Sequence, residues 1–311
     1  MQTIDTEAIG LQLGGLPSRR RRERRIRGVF FAAAATSVVI SLAIVLSLAG
    51  EAWTFISHVD LGSLTDAGWY PRRGLFDIST LFAGTLMVAG IAMVVAAPLG
   101  LGSAIYLSEY ATPRTRKILK PALELLAGIP SVVLGFFALT FITPSVLRPL
   151  FGDRVVGFNM LAAGIGVGIL TIPLVASVTE DALRAVPRSL REASYGLGAT
   201  RMATSIRVVV PAAVSGVAAS MIIAFSRAVG ETMVVAIAAG ATGGSLFGWD
   251  VFQPGQTMTA AMAALAIGSD QVRGDDYAFQ SLFFLGLLLF LITLTLNVIS
   301  ERFVRRVRQR Y

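Results

Sequence analysis

The chain has 311 residues, of which 54% are hydrophobic and only 15% are charged, whereas a soluble domain carries about 25% charged residues. This shortage of charge indicates a membrane protein. Cysteine is absent, which excludes disulfides and thiolate metal sites. The single histidine, His58, lies in a predicted outer loop, and because a metal site needs several ligands, we predict no metal site.

Six uncharged runs reach, or nearly reach, the length of about 20 residues that a membrane-spanning helix needs. They cover residues 29–48, 79–108, 125–147, 155–179, 208–226 and 278–300. Only helices with internally satisfied backbone groups fit continuous runs of this kind in lipid. The sequence therefore predicts an all-α membrane protein with six transmembrane helices.

The predicted organisation begins with a flexible, basic tail over residues 1–28. Residues 29–78 are expected to form the first transmembrane helix and an outer loop. Residues 79–303 are expected to form one integral domain of five helices, and residues 304–311 a basic C-terminus. A cleaved signal peptide is the rival interpretation of the first helix, but its charged region and apolar run are both long for one, so we expect a retained anchor.

The net charge of +8 would suit a nucleic-acid partner, but its distribution indicates topology instead. The basic residues cluster in the N-terminal tail, in the segments after the second and fourth runs, and in the C-terminal tail. The predicted outer loops hold only Arg72, Arg73, Arg148, Arg154 and Arg273. By the positive-inside rule both termini are cytoplasmic, and Trp53, Trp69 and Trp249 suit an outer interfacial belt.

Prolines and one overlong apolar stretch predict irregular helices. Pro98, Pro130 and Pro173 fall inside the predicted second, third and fourth spans and should kink them. Residues 208–241 would be about 50 Å long as a single helix, which exceeds the roughly 30 Å hydrocarbon core, so we predict a break at Gly230. Residues 257–267 are too short to span and are expected to dip back between helices.

A polar stretch between the fourth and fifth runs predicts a helix–glycine–helix elbow. Pro187 suits the first turn of a helix, Gly198 can end it in a left-handed conformation, and Thr200 can cap a second helix. A stripe is expected to face the bundle, and it consists of Leu190, Ala193, Ser194 and Leu197. Arg188, Arg191 and Glu192 are expected to point away from the elbow as polar handles; the alternative is a solvated amphipathic connector.

Two charged residues, Arg227 and Glu231, interrupt the long apolar stretch. Charges at membrane depth cost about 2.5–3.5 kcal/mol each, so they should be paired or face a water-filled path. Residues four apart on a helix can pair, and an Arg fork suits an oxyanion. We expect Arg227, Glu231, Thr232 and Ser131 to line a translocation path; a structural Arg–Glu pair is the alternative.

The elbow resembles the EAA loop of binding-protein-dependent ABC importer permeases. The matching residues are Glu192, Ala193, Ser194, then Gly198, then Val208, Val209, Val210 and Pro211. Ser stands for the second Ala of the motif, and Val stands for its Ile and Leu. The resemblance implies a type I ABC importer permease fold in which Glu192, Ala193, Gly198 and Pro211 form a cytoplasmic coupling site for a separate ATPase.

Four further segments resemble the inner-membrane permeases of phosphate-specific transport (Pst) systems, the PstC type more than the PstA type. They cover residues 105–111, 125–133, 227–233 and 256–263. The resemblance implies a PstA-like second permease subunit, a PstB-like ATPase dimer, a PstS-like external phosphate-binding protein and a place in the bacterial inner membrane. No phosphate-cradling Gly-Lys-Ser/Thr motif surrounds Lys117 or Lys120, so we expect no cofactor in this chain and ATP on the partner ATPase.

Three alternatives stay open at this stage. The elbow does not separate phosphate from another oxyanion such as sulfate or molybdate. An ion-coupled secondary carrier lacks its expected sign, an inverted repeat of hydropathy. A membrane signalling or scaffold component is the third. None of the leading interpretations makes the chain an enzyme.

Overall fold

The computed structural model describes residues 17–65, 68–240, 248–267 and 277–307. The described residues up to Gly50 form one compact unit, and those from Glu51 onward form a second. The helices are α1 (Pro17–His58), α2 (Ile78–Ile105), α3 (Pro113–Ala127), α4 (Ser131–Phe137), α5 (Met160–Arg184), α6 (Arg188–Gly196), α7 (Arg201–Thr204), α8 (Val214–Val229), α9 (Met233–Ala238), α10 (Met258–Ile267) and α11 (Ala278–Val307).

Wide helical turns lengthen three of these helices. Tyr106–Tyr110 continues α2, Ala138–Leu147 continues α4 as far as a short helix at Arg148–Phe151, and Ser205–Val209 continues α7 as far as Val210–Ala212. Single 3₁₀ turns occupy Leu61–Leu64, Pro71–Arg73 and Gly152–Arg154. Strands β1 (Trp69–Tyr70) and β2 (Leu75–Phe76) form an antiparallel hairpin in which Trp69 lies opposite Phe76.

Five helical segments are long and apolar enough to cross a membrane, and one bent pair makes a sixth. The five are Arg22–His58, Ile78–Tyr110, Ser131–Arg154, Met160–Arg184 and Ala278–Arg302. In the pair, Arg201–Ala212 and Val214–Val229 meet at an angle of 72°. The predicted membrane fold with six spans is confirmed.

Two predicted boundaries differ from the structure. The first helix begins at Pro17, so the second part of the predicted flexible tail is helical. The predicted third span, residues 125–147, is wrong as one helix: α3 ends at Ala127 and α4 begins at Ser131. Pro130 is the reason, because it disfavours the helical conformation of the residue before it and itself lies at the N-cap of α4 rather than inside a helix.

The start of α2 is set by Asp77. Its carboxylate accepts hydrogen bonds from the backbone N–H of Thr80 and from the hydroxyl groups of Ser79 and Thr80, at 3.2, 2.6 and 2.8 Å, which caps the helix. Burial raises the pKa of this carboxyl, but the hydrogen bonds to its charged form outweigh burial and hold the pKa below its usual value.

Close packing of α2 against α5 forms the centre of the second unit. A Cβ placed on Gly100 would lie 2.6 Å from Cβ of Val175, and one on Gly164 would lie 2.6 Å from Cβ of Ile91. Glycine lets the two backbones approach because it has no side chain there. The small residues in these helices therefore serve packing, and α2 and α5 are interlocked along their length.

A second apolar cluster lies beside the hairpin. Phe76 packs edge-on against Phe55, with ring centroids 4.9 Å apart, and Trp69 joins the same cluster. The prediction that Trp69 belongs to an interfacial belt is wrong, because only 3% of the residue is exposed. Trp53 and Trp249, in contrast, are largely exposed.

Candidate functional site

The elbow, defined here as residues 188–212, has the predicted helix–glycine–helix form. Gly198 follows α6 with φ = +80°, a conformation that side chains other than glycine adopt rarely. The Thr200 hydroxyl accepts a hydrogen bond from the Ala203 N–H at 3.3 Å and so caps α7. Inside the elbow, the hydroxyl groups of Ser194 and Thr204 lie 2.9 Å apart and are buried, which ties the two helices together.

The four residues predicted for ATPase coupling all lie on the surface of the elbow. Glu192, Ala193 and Gly198 are exposed, and so is Pro211, which lies in the short helix that ends at the 72° bend. The structure therefore places these positions where another protein could contact them, although it brings Pro211 to the far end of the elbow from Glu192.

The predicted buried stripe of α6 is half wrong. Leu190 packs against the cluster around Leu183 and Val209, and Ser194 is buried. Ala193 is exposed, however, and Leu197 is 90% exposed. For Leu197 the pattern failed because α6 ends at Gly196, so this residue lies outside the helix on which the pattern depends.

Arg191 was expected to be a polar handle that points away from the elbow, and this expectation is also wrong, because its side chain is bound to the bundle. Its guanidinium donates two hydrogen bonds to the carboxylate of Glu109, from Nη2 at 2.8 Å and from Nε at 3.3 Å. It also donates to the backbone oxygens of Leu183 and Val186, both at 2.8 Å. A guanidinium has several donors and can bind a carboxylate and helix-end carbonyls at the same time. These acceptors compensate the cost of burying the Arg191 side chain.

A second buried acid, Glu180, lies in the last turns of α5. It forms ion pairs with Arg116, with Lys120 at 3.3 Å and with Arg184 at 3.8 Å. Only 1% of its side chain is exposed, and both oxygens lack a donor in good hydrogen-bond geometry. The attraction of three cations, rather than a directional hydrogen bond, therefore compensates the buried charge.

The sequence patterns did not point to Glu109 or Glu180. Both acids stand near the ends of apolar runs, with basic segments nearby in the sequence. That combination was the available signal, because an acid close to a buried helix end requires a cation. It was weak, since a solvated charge at the end of a span shows the same pattern.

The helix break, defined here as residues 230–232, is where the predicted interruption falls. Helix α8 ends at Val229, Gly230 forms its C-cap, and α9 begins at Met233. The Thr259 hydroxyl from α10 donates to the Glu231 backbone oxygen at 2.7 Å. The predicted break at Gly230 is confirmed, and the apolar piece over residues 257–267, predicted to be too short to span, contains the ten-residue helix α10.

The predicted Arg227–Glu231 pair does not form among the described residues. Because α8 ends between the two, they are not neighbours on one helix, and the Glu231 carboxylate instead accepts from the Val234 N–H at 3.3 Å. Arg227 is exposed, and its side chain forms no ion pair or hydrogen bond within residues 17–65, 68–240, 248–267 and 277–307. Its guanidinium is thus available to another molecule.

Thr232 and Ser131, the other residues predicted for the path, are half-buried. The Thr232 hydroxyl donates to the Gly230 backbone oxygen at 3.4 Å, and Ser131 is the first residue of α4. Helix α4 packs closely on α9, because a Cβ on Gly135 would lie 3.2 Å from the Met233 oxygen. In the part of the chain that the structure describes, no group of three acidic or histidine side chains could hold a metal ion.

A multi-pass helical bundle with an exposed EAA-type elbow and a broken fifth span defines a membrane permease. The sequence matches the family of binding-protein-dependent transport system inner membrane components over residues 96–311. The chain belongs to this family, whose members are transport proteins and not enzymes.

Relatives by sequence extend the match over most of the chain. The phosphate transport system permease protein PstC of Mesorhizobium japonicum is 32% identical and covers 90% of this chain and 89% of its own length. PstC 1 of Mycobacterium tuberculosis is 34% identical over 78% of this chain and 77% of its own. A probable ABC transporter permease of Bacillus subtilis, YqgH, is 33% identical and covers 73% of this chain and 75% of its own.

Solved structures share the fold at low sequence identity. A chain of a bacterial alginate ABC transporter in complex with a periplasmic protein has a TM-score of 0.66 at 15% identity, covering 94% of this chain and 98% of its own. A chain of the MetNI methionine ABC transporter, in an inward-facing conformation, has a TM-score of 0.53 at 20% identity, covering 78% and 97%. The likeness confirms the predicted fold of type I ABC importer permeases.

Proposed function

We propose that the chain is the PstC-type permease subunit of an ATP-driven importer of inorganic phosphate in the bacterial inner membrane. Relatives that cover about nine-tenths of the chain are phosphate transport permeases. At the level of single residues, the proposal rests on Arg227. Its guanidinium lies in an apolar span and has no partner among the described residues. A buried or lipid-facing charge of this kind is costly, so Arg227 is placed for a polar path or an anion.

The path proposed for phosphate runs along the exposed face of α8 and past the helix break. Ile223 and Arg227 are exposed at i and i+4, which places them on one face of the helix, and the exposed Gly230 follows as its C-cap. The Arg fork matches two oxygens of a tetrahedral oxyanion. Glu231, Thr232 and Ser131 belong to this path in the proposal, with the Glu231 carboxylate opposing an anion that would otherwise bind too tightly to leave.

The proposed partners follow from the family and the elbow. A PstA-like second permease completes the path, a PstS-like binding protein delivers phosphate outside, and a PstB-like ATPase dimer binds ATP, so this chain needs no cofactor of its own. Both termini and the elbow are cytoplasmic in this arrangement, as the distribution of basic residues indicates. The exposed residues Glu192, Ala193, Gly198 and Pro211 then form the surface that receives motion from the ATPase.

Uptake by whole cells tests the proposal and its substrate. Cells lacking this chain, and cells supplied with it, are given labelled phosphate, sulfate or molybdate. We expect only phosphate uptake to depend on the chain, and we expect Arg227→Gln to reduce it by roughly 30-fold or more, because truncating one partner of a desolvated charge pair costs 2–5 kcal/mol. Dependence of sulfate or molybdate uptake alone would reassign the substrate.

A matched control is Arg148→Gln, the same change at an exposed arginine on the predicted outer side. It should leave uptake unchanged, while both variants accumulate in the membrane to the level of the original chain. If Arg227→Gln imports phosphate at the original rate, Arg227 has no place in the path.

A further inference from the structure

One guanidinium connects the elbow to two membrane-spanning helices. Arg191 belongs to α6, its carboxylate partner Glu109 lies in the final wide turn of α2, and its two carbonyl partners lie at the end of α5. The pair is well shielded, with 17% of the Arg191 side chain and 3% of the Glu109 side chain exposed. Water therefore competes weakly for these four hydrogen bonds.

The connection is unusual for α6. The other charged residues of this helix, Arg188 and Glu192, are exposed, and neither forms an ion pair within the described parts of the chain. Leu190 supplies an apolar contact, but apolar contacts can slide, whereas a bidentate fork fixes both distance and orientation. Arg191 is thus the directional contact between α6 and the bundle.

The two helices that Arg191 contacts, α2 and α5, are packed rigidly against each other. Helices α2 and α5 interlock through glycines, since a Cβ on Gly168 would lie 2.8 Å from Cβ of Val95, in addition to the contact of Gly100 with Val175. Interiors packed in this way transmit displacement rather than absorb it. A displacement of Arg191 would therefore move the ends of α2 and α5 together.

We infer that the Arg191–Glu109 pair is the link through which motion of the elbow reaches α2 and α5, and that Arg191 is a positioning residue for coupled transport. The inference rests on the proposed function, because it requires an ATPase that moves the elbow. With the fork intact, displacement of α6 pulls directly on the last turn of α2. Without it, α6 can shift over the bundle while the spans keep their positions.

The test measures the number of ATP molecules hydrolysed per phosphate imported by the complete complex in proteoliposomes, with its second permease, ATPases and binding protein. For Arg191→Gln we expect this ratio to rise by about fivefold to tenfold, in the range found for residues that modulate coupling, while ATP hydrolysis itself persists. Arg191→Lys keeps the charge but cannot form the fork, so its ratio should lie in between. Arg114→Gln, at an exposed arginine of α3, should keep the original ratio.

The outcomes separate this inference from a purely structural role and from the proposed function. An original ratio in Arg191→Gln and Glu109→Gln would overturn the inference. If Arg191→Gln fails to assemble, an original ratio in Arg191→Lys together with Glu109→Gln would overturn it equally. If the original complex hydrolyses ATP but imports no phosphate, the proposed function fails. The Arg191–Glu109 link is then tested by stimulation of ATP hydrolysis by the binding protein in Arg191→Gln. Unchanged stimulation would contradict the link.

Discussion

Charged side chains have different partners at two levels of the bundle, the elbow end and the helix break. At the elbow end, the buried acids Glu109 and Glu180 are both paired with cations. Glu109 pairs with Arg191, and Glu180 pairs with Arg116 and Lys120 of α3 and with Arg184 of its own helix. At the helix break, Arg227 is exposed and its side chain has no partner among the described residues, and the Glu231 carboxylate accepts a backbone N–H, that of Val234, at 3.3 Å.

The paired charges at the elbow end stabilise the fold, whereas the charges at the helix break are available to bind another molecule. A buried acid surrounded by cations becomes destabilising when one side is removed, because the remaining charges lose their compensation. An exposed and unpaired guanidinium contributes little to the stability of the chain. Variants at the elbow end should therefore change stability, and variants at the break should change transport.

The largest expected effect on stability is at Glu180. Replacing it with Gln removes the charge that holds together α3 and the end of α5, and three partly shielded cations then repel one another. Breaking a buried pair costs about 3–5 kcal/mol; because Arg116, Lys120 and Arg184 can turn toward water, we expect the lower end. The melting temperature of the purified complex in detergent should fall by roughly 5 °C or more.

Asp181→Asn is the matched control for that measurement. Asp181 follows Glu180 directly, but 69% of its side chain is exposed and its contact with Lys120 is 3.8 Å long. An exposed pair of this kind contributes at most about 1 kcal/mol. Equal melting temperatures for the two variants would show that burial of Glu180 has no energetic consequence, and the contrast between the two levels would disappear.

A smaller effect on stability is expected at two glycines, one at each level. Gly198 in the elbow has φ = +80°, and Ala there should cost about 1–2 kcal/mol because of the left-handed backbone alone, since nothing lies within 4 Å of the added Cβ. Gly230 at the break has φ = −85°, which every residue adopts. Its added Cβ would lie 3.7 Å from the nearest oxygens.

We therefore expect Gly198→Ala to lower both the melting temperature and ATP-driven uptake, and Gly230→Ala to leave the melting temperature within the error of the measurement. The same substitution at two glycines makes the comparison direct. A loss of stability in Gly230→Ala equal to that in Gly198→Ala would mean that the break, and not the elbow, depends on glycine.

The sequence predicted the features that depend on length and spacing. Apolar runs of membrane length, the elbow around Gly198 and the break at Gly230 are local consequences of hydrophobicity, chain length and turn chemistry. The residue partners were not predictable in this way. Glu109 and Arg191 are separated by 82 residues, and only the packing of α2 against α5 brings them together.

Two of the wrong predictions share one cause, which is that a helical pattern was continued past the end of its helix. Leu197 was placed on α6 although that helix ends at Gly196, and Glu231 was placed on the helix of Arg227 although α8 ends at Val229. In both cases glycine stops the helix, and side chains beyond it no longer follow the spacing of 3.6 residues per turn. The prediction of a break and the prediction of an i,i+4 pair across it were incompatible.

A small effect on stability is also expected at Glu231, and this residue distinguishes the two levels most sharply. Gln keeps an oxygen that can accept from the Val234 N–H, and the side chain is only half-buried, so Glu231→Gln should change the free energy of unfolding by no more than about 0.5 kcal/mol. Phosphate uptake should nevertheless fall several-fold, because the charge beside the proposed path is lost. The melting temperature of the purified complex and labelled phosphate uptake check the two expectations separately. A drop in melting temperature as large as that of Glu180→Gln would mean that the Glu231 charge holds the break together, as the acids at the elbow end hold theirs, and the break would then be a structural joint.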